Sequence, residues 1–385
     1  MSALAGLSGV RVSGIGYELG EDLITNEAVS EIVNRSVREA LGRDATADEA
    51  EKYFANPGWI ADRTGIQERY FARPETATSD LAAKAVLKAI EMSGRSVQDC
   101  GFVLVATVTP DYLYSPPTAA LVQRKIGFQP RNGSKLNQII GADMSLACSS
   151  FAVALRFGRS LIASGECEFG VVVGADKMST AANPADRAFY VLLGDAAAAV
   201  ALQAVPETGN SFLTQGKSFF SYLDGEGWDK IIALLGGSRN PLTFGVMEEM
   251  SRNQLLRPDK LQQDGPTVLR EIGNLVYSNS KPEETIIGCA LAEAGIGLSE
   301  LDFVFLHQAS GRIITPIERK IQRTPGFKGN IFNTYSRFAN TTSASFPLGM
   351  AVAYKEGELK KGDTVLGCVF GGGYSAGTAI FRWSI

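Results

Sequence analysis

A pattern repeated about half a chain apart constrains the fold more than any other feature of the sequence. One copy, GFVLVATVTPDYLYSPPTAALVQRKIG, begins at Gly101, and the other, DFVFLHQASGRIITPIERKIQ, begins at Asp302. Each copy predicts a strand, a polar turn, a proline and a helix, and a segment of small residues follows it, DMSLACSSFAVAL or SRFANTTSASFPLG. The repeat indicates a duplicated α/β fold with an active site between the halves; chance similarity of two strand–helix units is the alternative.

Continuous apolar runs alternate with segments of helical periodicity, as in α/β proteins whose strands are buried on both faces. The predicted strands are 102–107, 170–174, 197–202, 303–306, 365–370 and 379–383. The predicted helices are 78–93, 118–126, 149–164, 266–278, 282–294 and 313–322. We expect an N-terminal half over residues 1–205, an irregular connecting segment over 206–262 that covers the site, and a C-terminal half over 263–385.

Composition excludes several classes of function. His307 is the single histidine, which excludes most zinc sites. The five cysteines form no CxxC pair and predict reduced thiols in a cytoplasmic protein. The formal net charge of −4 provides no basic field for nucleic acid. Because no apolar run reaches about 18 residues and the first residues lack a basic segment, we expect no membrane span and no targeting signal.

Cys148 stands between a short strand-like stretch and a helix of small apolar residues. At a helix N-terminus, the dipole and the unpaired backbone N–H groups favour the thiolate, the nucleophilic form of cysteine. The residues alone leave another interpretation open, in which Ser149 is a simple helix cap and Cys148 a small core residue.

Three further positions could carry chemistry. His307 directly follows the predicted strand 303–306, where open α/β sheets bind ligands, although a lone histidine can equally be structural. Asn340 either donates hydrogen bonds through its amide or marks a turn. Three glycines beginning at Gly371 either expose backbone N–H groups to a ligand or form a tight turn. They are not part of a dinucleotide-binding GxGxxG motif.

Together these segments resemble the β-ketoacyl-ACP synthase III family of the thiolase superfamily. The motifs that carry the resemblance occur in the family's order and at similar spacing: GWIADRTGIQER, LACSSF, LLGDAAAAVAL, LHQAS, FANTTSASFPLG and VFGGGYSAG. The resemblance implies a thiolase-like, five-layer αβαβα fold built from two duplicated halves. It also explains the repeat.

By resemblance, Cys148, His307 and Asn340 are the catalytic residues of a decarboxylative Claisen condensation. Cys148 would accept an acyl group from acyl-CoA or acyl-ACP, and the other two would donate hydrogen bonds to the enolate that forms when malonyl-ACP loses CO2. The backbone N–H groups of Cys148 and Gly372 would form the oxyanion hole. The resemblance implies no metal and no prosthetic group, and a β-ketoacyl thioester as product.

The resemblance also implies contacts with substrates and partners. Trp59 and Arg63 match residues that flank the CoA nucleotide. Pro116 and Phe370 are predicted to contact the substrate. Arg312 matches a contact to acyl carrier protein, whose acidic helix requires a basic patch. Further basic residues follow it in sequence: Arg319, Lys320 and Arg323. We expect a homodimer.

Departures from the family pattern leave the substrates open. Ser310 replaces the usual Asn, Ala339 the usual Gly, and Pro116 stands where members that select short acyl chains carry Phe. The open alternative is a divergent enzyme of secondary metabolism that condenses or transfers a longer acyl or β-ketoacyl chain to a non-malonyl acceptor. A degradative thiolase is disfavoured because Cys368 is offset by one residue, on the opposite strand face. The intact catalytic set argues against a non-catalytic subunit.

Overall fold

The computed structural model describes residues 9–129, 139–212, 217–252, 255 and 257–385. The strands of this part of the chain are β1 (Gly9–Leu19), β2 (Asp22–Thr25), β3 (Glu68–Phe71), β4 (Phe102–Ala106), β5 (Ile140–Met144), β6 (Phe169–Asp176), β7 (Ala196–Val205), β8 (Phe219–Leu223), β9 (Ile231–Ile232), β10 (Gln262–Gln263), β11 (Phe303–Leu306), β12 (Asn330–Ile331), β13 (Thr364–Gly371) and β14 (Ser375–Arg382). Its α-helices are α1 (Asn26–Leu41), α2 (Ala47–Tyr53), α3 (Pro57–Thr64), α4 (Thr78–Ser93), α5 (Thr118–Lys125), α6 (Ser150–Ala163), α7 (Phe244–Arg252), α8 (Gly265–Val276), α9 (Ile286–Ala294), α10 (Gly311–Gln322), α11 (Tyr335–Phe338) and α12 (Ser345–Lys355).

Two five-stranded sheets repeat one strand order. The first runs β1-β7-β6-β4-β5, and the second runs β8-β14-β13-β11-β12. In the first sheet β4 is parallel to β5 and β6, while β7 is antiparallel to β6 and β1. The second sheet has the same directions at the equivalent pairs. The repeated sequence segments supply the equivalent strands β4 and β11, so the predicted duplication is confirmed.

Helices form three layers around the two sheets. The outer faces are covered by α4 and α5 on the first sheet and by α8, α9 and α10 on the second, while α6 and α12 lie between the sheets. Alternate residues of a strand face different layers: Phe102 and Leu104 of β4 belong to the central core, and Val103 and Val105 face α4 and α5. The result is the predicted αβαβα arrangement.

The segment predicted as an irregular connection is partly ordered into sheet. Phe219–Leu223 forms β8, the edge strand of the second sheet, in antiparallel register with β14. The ring of Phe219 is buried and stacks on Phe212 with centroids 5.4 Å apart, which fixes this strand against the central core. A second short pair, β9 with β10, also lies in this segment. The second sheet therefore takes its first strand from residues 206–262.

A small helical unit lies between β2 and β3 and carries two of the predicted binding residues. The side chain of Thr25 caps α1, and that of Asn56 caps α3 by accepting from the backbone N–H of Trp59 at 2.8 Å. Buried residues of α1 and α3, including Val33 and Ile60, form a separate apolar cluster beneath it. Within the described ranges, no helix combines the length and apolar character needed to cross a membrane.

Candidate functional site

A cavity of about 350 Å³ lies between the two halves, at the N-terminal ends of α6 and α12. The structure brings Cys148, His307 and Asn340 together in its lining, with Phe370 and Gly372. Much of the remaining wall is apolar and is formed by Val108, Met178, Phe189, Leu192, Leu193, Leu261 and Ile272. An apolar cavity with a few convergent polar groups is the usual form of a small-molecule site.

Cys148 lies in a tight turn between β5 and α6. Ala147 has φ of 47°, in the left-handed region that residues with a Cβ rarely adopt. The hydroxyl of Ser150 accepts from the N–H of Leu146 at 2.7 Å and donates to the carbonyl of Ala147 at 2.6 Å. Ser149 makes no side-chain cap; its hydroxyl oxygen lies 2.7 Å from the carbonyl oxygen of Leu146. These bonds hold the turn that presents Cys148 at the helix N-terminus.

The thiol of Cys148 is protonated in the free chain. Burial raises the pKa of Cys148 to about 12, and the negative charge of Asp176 contributes to the increase. Burial therefore opposes the thiolate that the helix dipole was expected to favour. A reaction at this sulfur therefore has to include removal of the thiol proton.

His307 follows β11 directly and is held on three sides. Its backbone N–H donates to the carbonyl of Cys368 at 2.9 Å, and its buried ring is nearly perpendicular to that of Phe370, with centroids 5.3 Å apart. Nδ1 lies 2.8 Å from Oγ of Ser345, the first residue of α12. Burial lowers the pKa of His307 to about 3, so the imidazole is neutral at physiological pH. With Nδ1 engaged by Ser345, Nε2 is the nitrogen left for a ligand.

Asn340 is fixed by contacts from both halves of the chain. Its N–H donates to the carbonyl of Leu192 at 2.8 Å, and its carbonyl accepts from the N–H of Gly194 at 3.0 Å. Its Oδ1 accepts from the N–H of Thr342 at 2.9 Å, which orients the amide and leaves Nδ2 as the donor. Ala339, before it, adopts φ of 56° and ψ of −155°, a conformation typical of glycine.

A buried carboxylate, which sequence reasoning missed, joins the loop after Asn340 to the first half. Asp176, the last residue of β6, accepts hydrogen bonds from Thr107, Val108, Thr109, Thr342 and Ser343. Every partner is a donor, which stabilises the buried charge. No local sequence motif predicts this role, because its partners lie in two segments far from it in the chain, residues 107–109 and 342–343.

The glycine loop packs directly on the turn of the cysteine. A Cβ on Gly371, the last residue of β13, would lie 2.8 Å from the backbone nitrogen of Cys148. Only glycine permits this approach. Gly372 follows and lines the cavity, so the two N–H groups predicted for an oxyanion hole belong to neighbouring segments.

Trp59 and Arg63 lie on α3, outside the cavity lining. Trp59 is half-buried and Arg63 is exposed. The guanidinium of Arg187 lies 4.9 Å from the centroid of the Trp59 ring, a cation–π arrangement that sequence reasoning missed. The pKa of Arg187 is lowered mainly by desolvation and to a smaller extent by the positive charge of Arg63. Two cations therefore lie near the Trp59 indole.

Arg312 is exposed in the first turn of α10, which packs against α3. Of the basic residues that follow it, Arg319 and Arg323 are exposed and Lys320 is half-buried. Nζ of Lys320 donates to the carbonyls of Gly273 at 3.3 Å and Tyr277 at 3.2 Å and to Oδ1 of Asn274 at 3.0 Å. Lys320 therefore holds the end of α8, contrary to the predicted surface role.

Pro116 does not line the cavity. It is exposed in the loop between β4 and α5, next to the exposed apolar side chains of Leu113 and Tyr114. The loop runs over the surface, so within one chain Pro116 is not part of the cavity wall that a substrate would contact.

Comparison with known proteins assigns the family. The family described as 3-oxoacyl-[acyl-carrier-protein (ACP)] synthase III matches residues 142–216, and the one described as its C-terminal part matches residues 291–383. The β-ketoacyl-[acyl-carrier-protein] synthase III of Rhodopirellula baltica is 32% identical over 395 residues, which cover 99% of this chain and 100% of the relative. The chain belongs to the β-ketoacyl-ACP synthase III family. The family member of Microcystis aeruginosa is also 32% identical, over 374 residues that cover 97% of each chain.

Solved structures of β-ketoacyl-ACP synthase III proteins have the same fold. The crystal structure of 3-oxoacyl-[acyl-carrier-protein] synthase III from Aquifex aeolicus superposes with a TM-score of 0.74 at 26% identity, over 97% of this chain and 100% of that one. The predicted family and the thiolase-like fold are thus confirmed. As a β-ketoacyl-ACP synthase III, the chain is an acyltransferase, a condensing enzyme of fatty acid biosynthesis.

Proposed function

We propose that this condensing enzyme carries an acyl group on Cys148 and joins it to malonyl-ACP, which gives a β-ketoacyl thioester. Cys148, His307 and Asn340 line one apolar cavity between the halves, and this arrangement is the main support for the proposal. The family supports the class of reaction, and the reaction as written needs neither a metal nor a prosthetic group.

In the first step, the sulfur of Cys148 attacks the carbonyl of acyl-CoA. The bond between that carbonyl and the CoA sulfur breaks, and the thiol proton of Cys148 ends on CoA. The tetrahedral oxyanion receives hydrogen bonds from the N–H groups of Cys148 and Gly372. Because burial raises the pKa of Cys148 to about 12, a proton that leaves as the sulfur attacks is favoured over a thiolate formed beforehand.

In the second step, the malonyl thioester loses CO2, and the electrons of the broken carbon–carbon bond form an enolate. Nε2 of His307 and Nδ2 of Asn340 donate to the enolate oxygen. A neutral imidazole suits this role, because its Nε2 carries a proton when Nδ1 accepts from Ser345. The enolate carbon attacks the acyl carbonyl, the carbon–sulfur bond breaks, and the Cys148 thiolate takes a proton from solvent.

The surface near α3 and α10 fits the carriers of the two acyl groups. Trp59 and Arg187 offer an aromatic and a guanidinium plane to the adenine of CoA, and Arg63 offers charge to its phosphates. Arg312, exposed next to α3, fits the acidic helix of acyl carrier protein.

The exposed apolar loop supports a homodimer. Tyr112, Leu113 and Tyr114 are 56%, 64% and 77% exposed, and a partner subunit would cover them and bring Pro116 towards the substrate. All five cysteines are free thiols, which supports a cytoplasmic location.

Intact-protein mass spectrometry tests the proposal. Wild type is mixed with acyl-CoA donors from acetyl to dodecanoyl, and the acylated protein is then chased with malonyl-ACP. We expect an added acyl mass that is absent in Cys148→Ala and present in Cys289→Ala, the control. The chase should release CO2 and yield the β-ketoacyl product.

Two outcomes contradict the proposal. An unmodified wild type across all donors excludes Cys148 as the acyl carrier. Loss of the acyl mass without CO2 excludes decarboxylative condensation and favours transfer to a non-malonyl acceptor.

A further inference from the structure

The two backbone N–H groups proposed for the oxyanion hole come from different halves of the chain. Cys148 stands before α6 in the first half, and Gly372 follows β13 in the second. Two donors stabilise one oxyanion only when each lies about 3 Å from it. The turn of Cys148 and the glycine loop must therefore be held at a fixed separation.

A pair of serines joins these two segments. The hydroxyl oxygens of Ser149 and Ser375 lie 2.7 Å apart, although the residues are 226 positions apart in the chain. Ser149 is the neighbour of Cys148, and Ser375 lies just beyond the glycines. The carbonyl oxygen of Leu146 lies 2.7 Å from Oγ of Ser149 and 3.1 Å from Oγ of Ser375, and that of Gly372 lies 3.1 Å from Oγ of Ser375.

The serine pair links the two segments whichever of the two hydroxyls is the donor. Each hydroxyl has one proton to donate. If Ser149 donates to Ser375, then Ser375 donates to the carbonyl of Gly372 or Leu146. If Ser375 donates to Ser149, then Ser149 donates to the carbonyl of Leu146. Each arrangement ties the glycine loop to the turn that carries Cys148.

The surroundings make this link hard to replace. Ser149 is fully buried and Ser375 is 3% exposed, so solvent cannot take the place of a lost hydroxyl. The two segments are also closely packed: a Cβ on Gly371 would lie 2.8 Å from the nitrogen of Cys148, and one on Gly377 would lie 2.9 Å from Cβ of Ala152. The hairpin of β13 and β14 thus rests on the first turn of α6, and the serine pair is a polar contact within that interface.

We propose that Ser149 and Ser375 are positioning residues for the oxyanion hole, which hold the N–H groups of Cys148 and Gly372 at the separation that a tetrahedral intermediate requires. The inference rests on the proposed function. Acylation and condensation both pass through such an intermediate, whereas decarboxylation of the malonyl thioester forms its enolate at His307 and Asn340. The serine pair should therefore affect acylation and condensation and spare decarboxylation.

The first experiment measures acylation by rapid mixing and intact mass. At saturating acyl-CoA, we expect the acylation rate constant of Ser375→Ala to fall about tenfold or more with little change in KM. Ser375→Thr, which keeps the hydroxyl, should recover most of the rate. Ser149→Ala should lose less, because Ser375 can still donate to the carbonyl of Leu146 in the turn of Cys148. The double alanine variant should lose little more than Ser375→Ala, because that change already breaks the link. The control is Ser13→Ala, a buried serine whose hydroxyl donates to the carbonyl of Ala201 in the first sheet.

The second experiment separates positioning from a general loosening of the fold. In a Cys148→Ala background, the release of CO2 from malonyl-ACP is measured with and without Ser375→Ala. We expect the two rates to agree within about twofold. An equal loss in CO2 release and in acylation would overturn the inference, as would acylation within about twofold of wild type in both single variants. Acylation that persists in Cys148→Ala alone would instead overturn the proposed function.

Discussion

Oγ of Ser345 lies 2.8 Å from Nδ1 of His307, and both side chains are buried. The partner of one ring nitrogen decides which nitrogen holds the proton of a neutral imidazole. When Ser345 donates to Nδ1, the proton stands on Nε2, and the ring presents an N–H donor to the cavity. A residue with no reactive role of its own thus determines whether His307 can stabilise an enolate.

Replacing Ser345 by alanine should release this constraint. We expect condensation by Ser345→Ala to slow about tenfold, while acylation of Cys148 stays near the wild-type rate, because only the enolate depends on His307. Ser345→Thr should retain most of the activity. Single-turnover measurements of the two half-reactions test this, with Ser30→Ala as the buried control whose hydroxyl donates to the carbonyl of Asn26. Equal losses in both half-reactions would contradict the role.

The single histidine allows a direct test of its protonation. Because burial lowers the pKa of His307 from 6.5 to about 3, its one imidazole NMR signal should not shift between about pH 5 and pH 8. The unfolded chain binds more protons between these two pKa values. The free energy of unfolding should therefore decrease as pH falls from about 6.5 towards 3. His307→Asn should remove this part of the pH dependence of the free energy of unfolding. An imidazole signal that titrates near pH 6.5 would contradict the lowered pKa of His307.

The pH dependence of alkylation at Cys148 shows whether burial or the helix dipole dominates the pKa of its thiol. With a pKa of about 12, its rate of alkylation by iodoacetamide should rise about tenfold per pH unit between about pH 7 and pH 9. Peptide mass spectrometry separates Cys148 from the other cysteines. A rate that levels off near pH 7 would mean that the dipole prevails.

Ala339 offers a stabilising substitution next to the site. Its φ of 56° and ψ of −155° strain a residue with a Cβ. We expect Ala339→Gly to raise the free energy of unfolding by about 1 kcal/mol, because the relief of strain exceeds the added entropy of the unfolded chain. Thermal or urea unfolding measures the change. Ala50→Gly, inside helix α2, is the control and should lower stability by a similar amount.

Gly371 should tolerate no larger side chain. An added Cβ would lie 2.8 Å from the nitrogen of Cys148, so Gly371→Ala must shift the turn, and we expect acylation to fall about a hundredfold. Gly273→Ala is the matched control, since its new Cβ would meet nothing within 4 Å inside helix α8. That variant should acylate normally and gain stability. Normal acylation by Gly371→Ala would contradict the close approach.

The fold could be predicted from sequence where periodicity alone decides the element. α4 and β11 occupy the predicted residues 78–93 and 303–306, because each buries a continuous apolar face. β1 escaped prediction for a physical reason. Cβ atoms on its Gly14 and Gly16 would lie 2.1 and 2.5 Å from carbonyl oxygens of α4, so the strand carries glycine where a periodic strand carries an apolar side chain.

Of the residues that build the site, only the reactive ones could be predicted from the sequence. Cys148, His307 and Asn340 lie at element ends within motifs, which sequence reveals. Ser345 and Asp176 could not be found, because their partners His307 and Thr342 lie 38 and 166 positions away and meet them only in the folded chain. The outward course of the loop around residue 116 depends on packing in the same way.

The duplicated halves divide the site unequally. Cys148 belongs to the half of the chain whose last strand is β7, whereas His307, Asn340 and Gly372 belong to the half whose first strand is β8. A chain divided between these strands would yield one fragment with the nucleophile and another with its hydrogen-bond donors. Neither fragment could catalyse the reaction alone. Activity recovered on mixing the two fragments would therefore measure their reassociation.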